Sequence, residues 1–130
     1  MKYLLIVAVV LLLFTECKPT VKSEMLYGTW RYTKLENLNA YPPDTLTYYQ
    51  LHSNSPSIRF TKSDSVVIIW SDTVLLRGTF TVDGSNINIK QLLPGGKTSQ
   101  FPFSVSKLTD KQIVFESHGA DASKVTAVKE

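Results

Sequence analysis

The stretch LRGTFTVDGSNINIK, from Leu76 to Lys90, decides the fold class of this chain. Apolar and polar side chains alternate on both sides of the central Asp83-Gly84-Ser85. Alternation with a period of two is typical of a β-strand with one buried face, and Asp-Gly between two such runs is a strong hairpin signal. The stretch therefore predicts an antiparallel hairpin whose buried face carries Leu76, Phe80, Val82, Ile87 and Ile89.

The same period recurs in short runs from Met25 onward, and turn-forming residues separate the runs. Helical periodicity is nearly absent. We therefore predict an all-β domain that forms an eight-stranded antiparallel up-and-down meander barrel, because closure removes exposed edge strands. A two-sheet sandwich is the alternative. The eight runs are 27–36, 58–60, 66–70, 75–82, 87–90, 100–105, 113–115 and 125–127.

The interior of such a barrel is either filled by its own side chains or wide enough for one small ligand, and the sequence favours neither. Arg77 lies opposite the apolar face of its run and should point to solvent. Pro102 has no N–H, so its strand should lie at an edge, carry a bulge, or leave that site without a ladder hydrogen bond. The side chains expected to point inward are Trp30, Ile58, Phe60, Ile68 or Ile69, Leu76, Phe80, Ile87, Ile89, Phe101, Phe103 and Phe115.

Residues 1–17 read MKYLLIVAVVLLLFTEC and form an apolar leader behind the basic Lys2. As a helix, the stretch from Tyr3 to Phe14 would span about 18 Å, which is short of the roughly 30 Å hydrocarbon core of a bilayer. The leader is therefore expected to be a signal peptide. The residues before Cys17 are not the small ones that conventional signal peptidase requires.

The leader instead resembles the lipobox of bacterial lipoproteins, in which an apolar stretch ends in a cysteine that is diacylglyceryl-modified and becomes the mature N-terminus. Here that cysteine is Cys17, the one cysteine of the chain, and Glu16 replaces the usual Gly, Ala or Ser before it. The alternative is a free cysteine in an uncleaved anchor helix. The resemblance implies a signal peptide over residues 1–16, a lipidated and unstructured tether over 17–24, and a barrel domain over 25–130.

The first strand opens with Gly28-Thr29-Trp30, preceded by Leu26 and Tyr27. This stretch resembles the Gly-x-Trp motif of the lipocalin and fatty-acid-binding-protein superfamily, and more closely the lipocalin-like domains of small bacterial lipoproteins. The resemblance in pattern covers residues 25–128, although only Gly28 and Trp30 match the motif itself. It implies that Trp30 closes the base of the barrel against a cation from the last strand, for which Lys124 and Lys129 are the candidates.

The long connection from Asn37 to Ser57 is of the kind that often carries function. In lipocalins the first connection covers the barrel mouth. If the barrel holds a ligand, Tyr41, Tyr48 and Tyr49 are the expected contacts from this connection, with Phe80 and Phe103 from the interior. The alternative is that the tyrosines pack on the barrel as part of its core.

The sequence offers no catalytic constellation and no metal-ligand spacing, so we expect neither enzymatic activity nor a cofactor. Neither His52 nor His118 has a second histidine at metal-ligand spacing. The aspartates Asp64, Asp72 and Asp83 fall at predicted turns. The net charge of +3 is spread singly along the chain, so nucleic acid is not an expected partner.

Together these features predict a non-catalytic, membrane-anchored lipoprotein of the bacterial cell envelope, held by lipid on Cys17 and facing the periplasm or the outer-membrane surface. Its barrel is expected to bind a small hydrophobic or amphipathic molecule. The alternative is a structural or inhibitor-like module with a filled barrel, which meets an envelope protein and takes no small-molecule ligand.

Overall fold

Alternating apolar residues form eight antiparallel strands that close into a barrel in the computed structural model, which describes residues 18–38, 44–45, 48–119 and 122–130. Among these residues the helices are α1 (Ser23–Leu26), α2 (Tyr48–Asn54) and one 3-10 turn (Pro94–Gly96), and the strands are β1 (Gly28–Asn37), β2 (Asp44–Thr45), β3 (Ser57–Phe60), β4 (Ser65–Trp70), β5 (Thr73–Asp83), β6 (Asn86–Leu92), β7 (Thr98–Leu108), β8 (Gln112–Glu116) and β9 (Ser123–Lys129).

The barrel closes because β1 pairs with β3 along one edge and with β9 along the other. Each strand from β3 to β9 pairs with the next one along the chain. The short β2 adds only to the C-terminal end of β1, at Glu36 and Asn37. The predicted eight-stranded antiparallel up-and-down barrel is therefore confirmed.

The strand details also follow the sequence. Pro102 lies in the part of β7 that pairs with β6 but precedes the ladder to β8, which begins at Ser104. Of Ile68 and Ile69, Ile68 packs on the core, because it lies two positions from the buried Val66 on the same face of β4. The other predicted inward residues are buried or pack against the core, and Arg77 is exposed as expected.

One end of the barrel is closed by a packed layer around Trp30, which is fully buried. The indole Nε1 of Trp30 donates a hydrogen bond of 2.8 Å to the carbonyl of Leu26, so α1 seals this end. The ammonium of Lys129 lies 5.3 Å from the centroid of the Trp30 ring. Of the two predicted candidates, Lys124 and Lys129, the cation that packs on Trp30 is therefore Lys129.

The segment before β1 packs more than the sequence suggests. Val21 is buried and its N–H donates a hydrogen bond of 2.8 Å to the carbonyl of Gly84 in the β5–β6 turn. The expectation of an unstructured tether over 17–24 therefore does not hold for its second half, because Val21 and α1 cover an apolar barrel end. Packing begins at Val21, four residues before the predicted boundary at 25.

The long connection contains β2 and the helix α2, where the sequence analysis expected no helix. The seven residues of α2 are too few to show a helical period, and the buried Leu51 attaches the helix to the core. The N–H and the hydroxyl of Ser71, in the β4–β5 turn, donate hydrogen bonds of 2.7 Å to the backbone and side-chain oxygens of Asn54.

The buried hydrophobic residues of the described part all fall between Val21 and Ala127. The sheet closes without any residue before Lys18. We therefore expect residues 18–130 to fold without the leader. In the described part of the chain, no helix combines the length and the apolarity needed to cross a membrane.

Candidate functional site

A cavity of about 200 Å³ lies inside the barrel at the end opposite α1. We call this the open end, and it is bordered by the β4–β5 turn and the β8–β9 connection. The lining is mostly apolar, and its polar side-chain groups belong to Tyr32, Trp70, Ser117 and Ser123. The lining residues are Tyr32, Leu35, Ile68, Trp70, Leu75, Phe103, Phe115, Ser117, Ser123 and Val125.

Aromatic rings in tilted and edge-to-face contact form one wall of the cavity. The Phe103 and Phe115 ring centroids are 4.9 Å apart, and Tyr32 meets Phe115 edge to face at 6.3 Å. Phe101 extends the row, with its centroid 5.5 Å from that of Phe103. Such contacts hold the rings in fixed positions, so this wall exists before any ligand binds.

Tyr32 is the polar residue set deepest in this wall, with only 7% of its surface exposed. Burial raises the pKa of the Tyr32 phenol well above its ordinary value. The phenol is therefore neutral across the physiological range and can donate one hydrogen bond. At the mouth of the cavity, the Ser117 hydroxyl accepts a hydrogen bond of 3.0 Å from the N–H of Ser123.

Exposed apolar side chains surround the open end. Leu75 lines the cavity and is still 57% exposed, so it connects the interior with the outer surface. Of the large hydrophobic residues exposed in the described part, only Met25 lies at the closed end. We call the remaining five, at the open end, the apolar rim: Leu38, Val74, Leu75, Leu92 and Leu93.

The structure separates the two phenylalanines that the sequence analysis named as ligand contacts. Phe103 lines the cavity, whereas Phe80 packs edge to face on Phe60, with ring centroids 5.0 Å apart, and is absent from the cavity lining. Tyr48 and Tyr49 begin α2, and their side chains are outside the described part. Tyr41 and Cys17 lie outside the described residues. Ligand binding by the phenylalanines and tyrosines, and lipidation of Cys17, stay predictions.

Sequence reasoning missed several lining residues, of which Tyr32, Trp70 and Val125 carried a usable signal. Tyr32 follows Trp30 by two positions in β1, so it falls on the same face of the strand. Val125 belongs to a predicted run but was not assigned to the interior. Trp70 carried a signal of the same kind, because it follows Ile68 by two positions in β4. Leu75 carried none, because the register shift between β4 and β5 leaves it without a partner position in the ladder.

Two larger depressions lie on the outside of the barrel. A crevice of about 600 Å³ between α2 and β1 is lined by Arg31, Thr33 and His52 among others. A groove of about 470 Å³ crosses β5, β6 and β7 near Lys90. Most of their side chains are polar and exposed, whereas the lining of the interior cavity is mostly apolar.

His118 is paired with a serine that the sequence analysis did not single out. Its Nε2 lies 2.7 Å from the hydroxyl of Ser104, which also donates to the Asn86 side-chain oxygen at 3.3 Å. Ser104 and His118 lie outside the cavity and are not among its lining residues. Within the described residues, no group of three or more His, Cys, Asp or Glu side chains is placed to hold a metal ion.

Comparison with known proteins adds no family assignment, since no protein-family model and no curated protein matches the chain. The closed antiparallel barrel of eight strands is compatible with a lipocalin-like fold.

Proposed function

We propose that this chain is a lipid-anchored lipoprotein of the bacterial envelope whose lipocalin-like barrel binds a small hydrophobic or amphipathic molecule without catalysing a reaction. The observation that carries the binding role is the apolar cavity at the open end, next to a fully packed closed end. The anchor rests on the leader and on Cys17 at its end.

The size of the cavity limits the ligand. Small-molecule sites usually measure about 300–1,000 Å³, and this cavity is smaller. It therefore encloses either a very small apolar molecule or one end of a longer one. Leu75 and its neighbours on the apolar rim offer contacts to the part that stays outside. The Tyr32 hydroxyl supplies a hydrogen-bond donor for an amphipathic ligand.

Filling the cavity tests this role. Residues 18–130 are expected to take up an environment-sensitive apolar dye, and lipids should compete with it. Ser123→Leu places an apolar side chain in the cavity without removing one from the core, so dye affinity should fall by roughly tenfold, the cost of about 1.4 kcal/mol of lost contact. The measurement is a fluorescence titration.

The matched control is Thr126→Leu, which lies on the same strand, next to the inward Val125, on the opposite face. This variant should bind dye as the parent does. Equal binding by the parent and Ser123→Leu, or no uptake by the parent, would contradict a ligand in this cavity.

The exposed apolar rim favours one alternative, a module that binds an envelope protein through its open end. Exposed apolar patches often mark protein interaction sites, and the five rim residues all lie at one end of the barrel. Under this alternative the parent chain takes up no dye, while substitutions on the rim abolish capture of the protein partner.

A further inference from the structure

The attachment point of the N-terminal segment fixes which end of the barrel lies near Cys17. Val21 is buried at the closed end, where its N–H bonds to the carbonyl of Gly84. Leu26 is also buried there, against Trp30. Only three residues, 18 to 20, separate Cys17 from this fixed point.

Covalent geometry limits the reach of this connection. Four residue steps, fully extended, span at most about 14 Å. Strands β5 and β7 each contain 11 residues, so the barrel is about 36 Å long along a strand and roughly 28 Å high at the usual tilt. Cys17 therefore stays near the closed end whatever path residues 18–20 take.

We propose that the closed end of the barrel faces the membrane that holds the lipid on Cys17, and that the open end, with its cavity and apolar rim, faces the aqueous compartment. A ligand then enters and leaves from the water side and not from the anchoring bilayer. This proposal rests on the lipid anchor of the proposed function and adds the direction in which the binding site opens.

The surface of the closed end is polar and carries charges of both signs. The exposed side chains of Lys18, Lys22 and Lys62 lie in its N-terminal segment and its β3–β4 turn, and the exposed carboxylates of Glu24 and Asp64 lie in the same two stretches. Met25 is the one large exposed apolar residue of the described part at this end. The orientation therefore rests on the short connection to Cys17 and not on a net positive charge at this end.

Single-cysteine labelling tests the orientation in the full, lipidated chain. Cys17 is the only native cysteine, and acylation consumes its thiol, so an introduced cysteine carries the only reactive thiol. Met25→Cys and Lys62→Cys report on the closed end, and Leu92→Cys reports on the open end. Each variant is labelled with bimane and placed in phosphatidylethanolamine–phosphatidylglycerol vesicles that contain a headgroup-nitroxide lipid.

Quenching at residues 25 and 62 should be at least about threefold stronger than at residue 92, because the two ends lie roughly 28 Å apart. Quenching at residue 92 as strong as at residue 25 would overturn the orientation and indicate a barrel that lies on its side. Weak quenching at all three positions would overturn it as well, because the closed end would then be far from the bilayer.

The anchor is checked in a separate experiment. Radiolabelled palmitate should enter the parent chain in living cells and should not enter Cys17→Ser. Failure of the parent to take up label or to stay with the vesicles would contradict the lipid anchor, and the orientation with it. Retention on the vesicles with the wrong quenching pattern would contradict the orientation alone.

Discussion

Gly28, Trp30 and Lys129 depend on one another at the closed end. Gly28 has a φ of +129°, which side chains rarely adopt, and a Cβ there would lie 3.0 Å from the Cε of Lys129. Glycine thus leaves room for the lysine stem that brings the ammonium over the indole of Trp30. The glycine and the tryptophan of the Gly-x-Trp motif are therefore both needed to accommodate Lys129, which lies in the last strand.

At the open end, Tyr32 is expected to make stability depend on pH. Its pKa in the folded state is raised above 10.0, the ordinary value of an unfolded tyrosine, because burial disfavours the phenolate. The contribution of Tyr32 is fully present below about pH 10 and is lost as the pH rises, since only the unfolded state then gives up the proton.

Urea unfolding from pH 8 to 11 should therefore show a steeper loss of unfolding free energy in the parent than in Tyr32→Phe, whose curve lacks this titration. All other titratable groups are the same in the two proteins, so their effects cancel in the difference. Parallel curves would contradict a buried, neutral phenol.

At the scale of elements, the β5–β6 hairpin has the clearest turn signal in the sequence. It also has a close contact between its strands that this signal does not predict. The predicted turn follows Asp83, the last residue of β5, and consists of Gly84 and Ser85. Gly84 has a φ of +58°. Gly78, in the middle of β5, allows β5 and β6 to approach closely, because a Cβ at this position would collide with the backbone carbonyl of Lys90. That carbonyl cannot move without disturbing the ladder.

Gly78→Ala should therefore cost at least about 2 kcal/mol of unfolding free energy, as overpacking against backbone does. Gly84→Ala is the matched control, since a Cβ there meets nothing within 4 Å and only the positive φ opposes it. This control should cost about 1 kcal/mol. Denaturant titration measures both, and equal costs would show that the close approach at Gly78 is unimportant.

Helix α2 could not be predicted from its own sequence. Its seven residues carry no period that separates helix from loop, and the helix depends on Leu51 packing on the core and on the Asn54–Ser71 hydrogen bonds. The isolated segment would be too short to stay helical in water. Tertiary contacts therefore determine the helix, and the sequence analysis could not.

At the scale of the molecule, the barrel has one sealed and one open end, and the N-terminal segment does the sealing. Val21 and Leu26 each bury an apolar side chain over the base, and the carbonyl of Leu26 accepts the Trp30 indole hydrogen bond. A barrel without this segment would expose the layer around Trp30 to water.

Removing residues 1–17 should leave the unfolding free energy of the domain unchanged within about 0.5 kcal/mol, because it keeps every buried core residue of the described part, from Val21 to Ala127. Removing residues 1–26 should cost about 4 kcal/mol or more, because two buried side chains and one buried hydrogen bond are lost. Urea denaturation followed by tryptophan fluorescence compares the two.

If the shorter chain does not fold, Leu26→Ala replaces it, with an expected cost of about 2–5 kcal/mol. A loss below about 1 kcal/mol in Leu26→Ala would contradict a sealing role for α1.

The sequence by itself determined the strands, their turns and the inward faces, because a period of two and turn residues such as Asp83-Gly84 act over a few neighbouring positions. It also marked Trp30 through a local motif. Only the tertiary structure decided that Lys129 is the partner of Trp30, that Val21 and α1 seal one end, and that Tyr32, Phe103 and Val125 share a cavity at the other. These contacts join residues far apart in the chain, and closure of the barrel, which no local pattern encodes, brings them together.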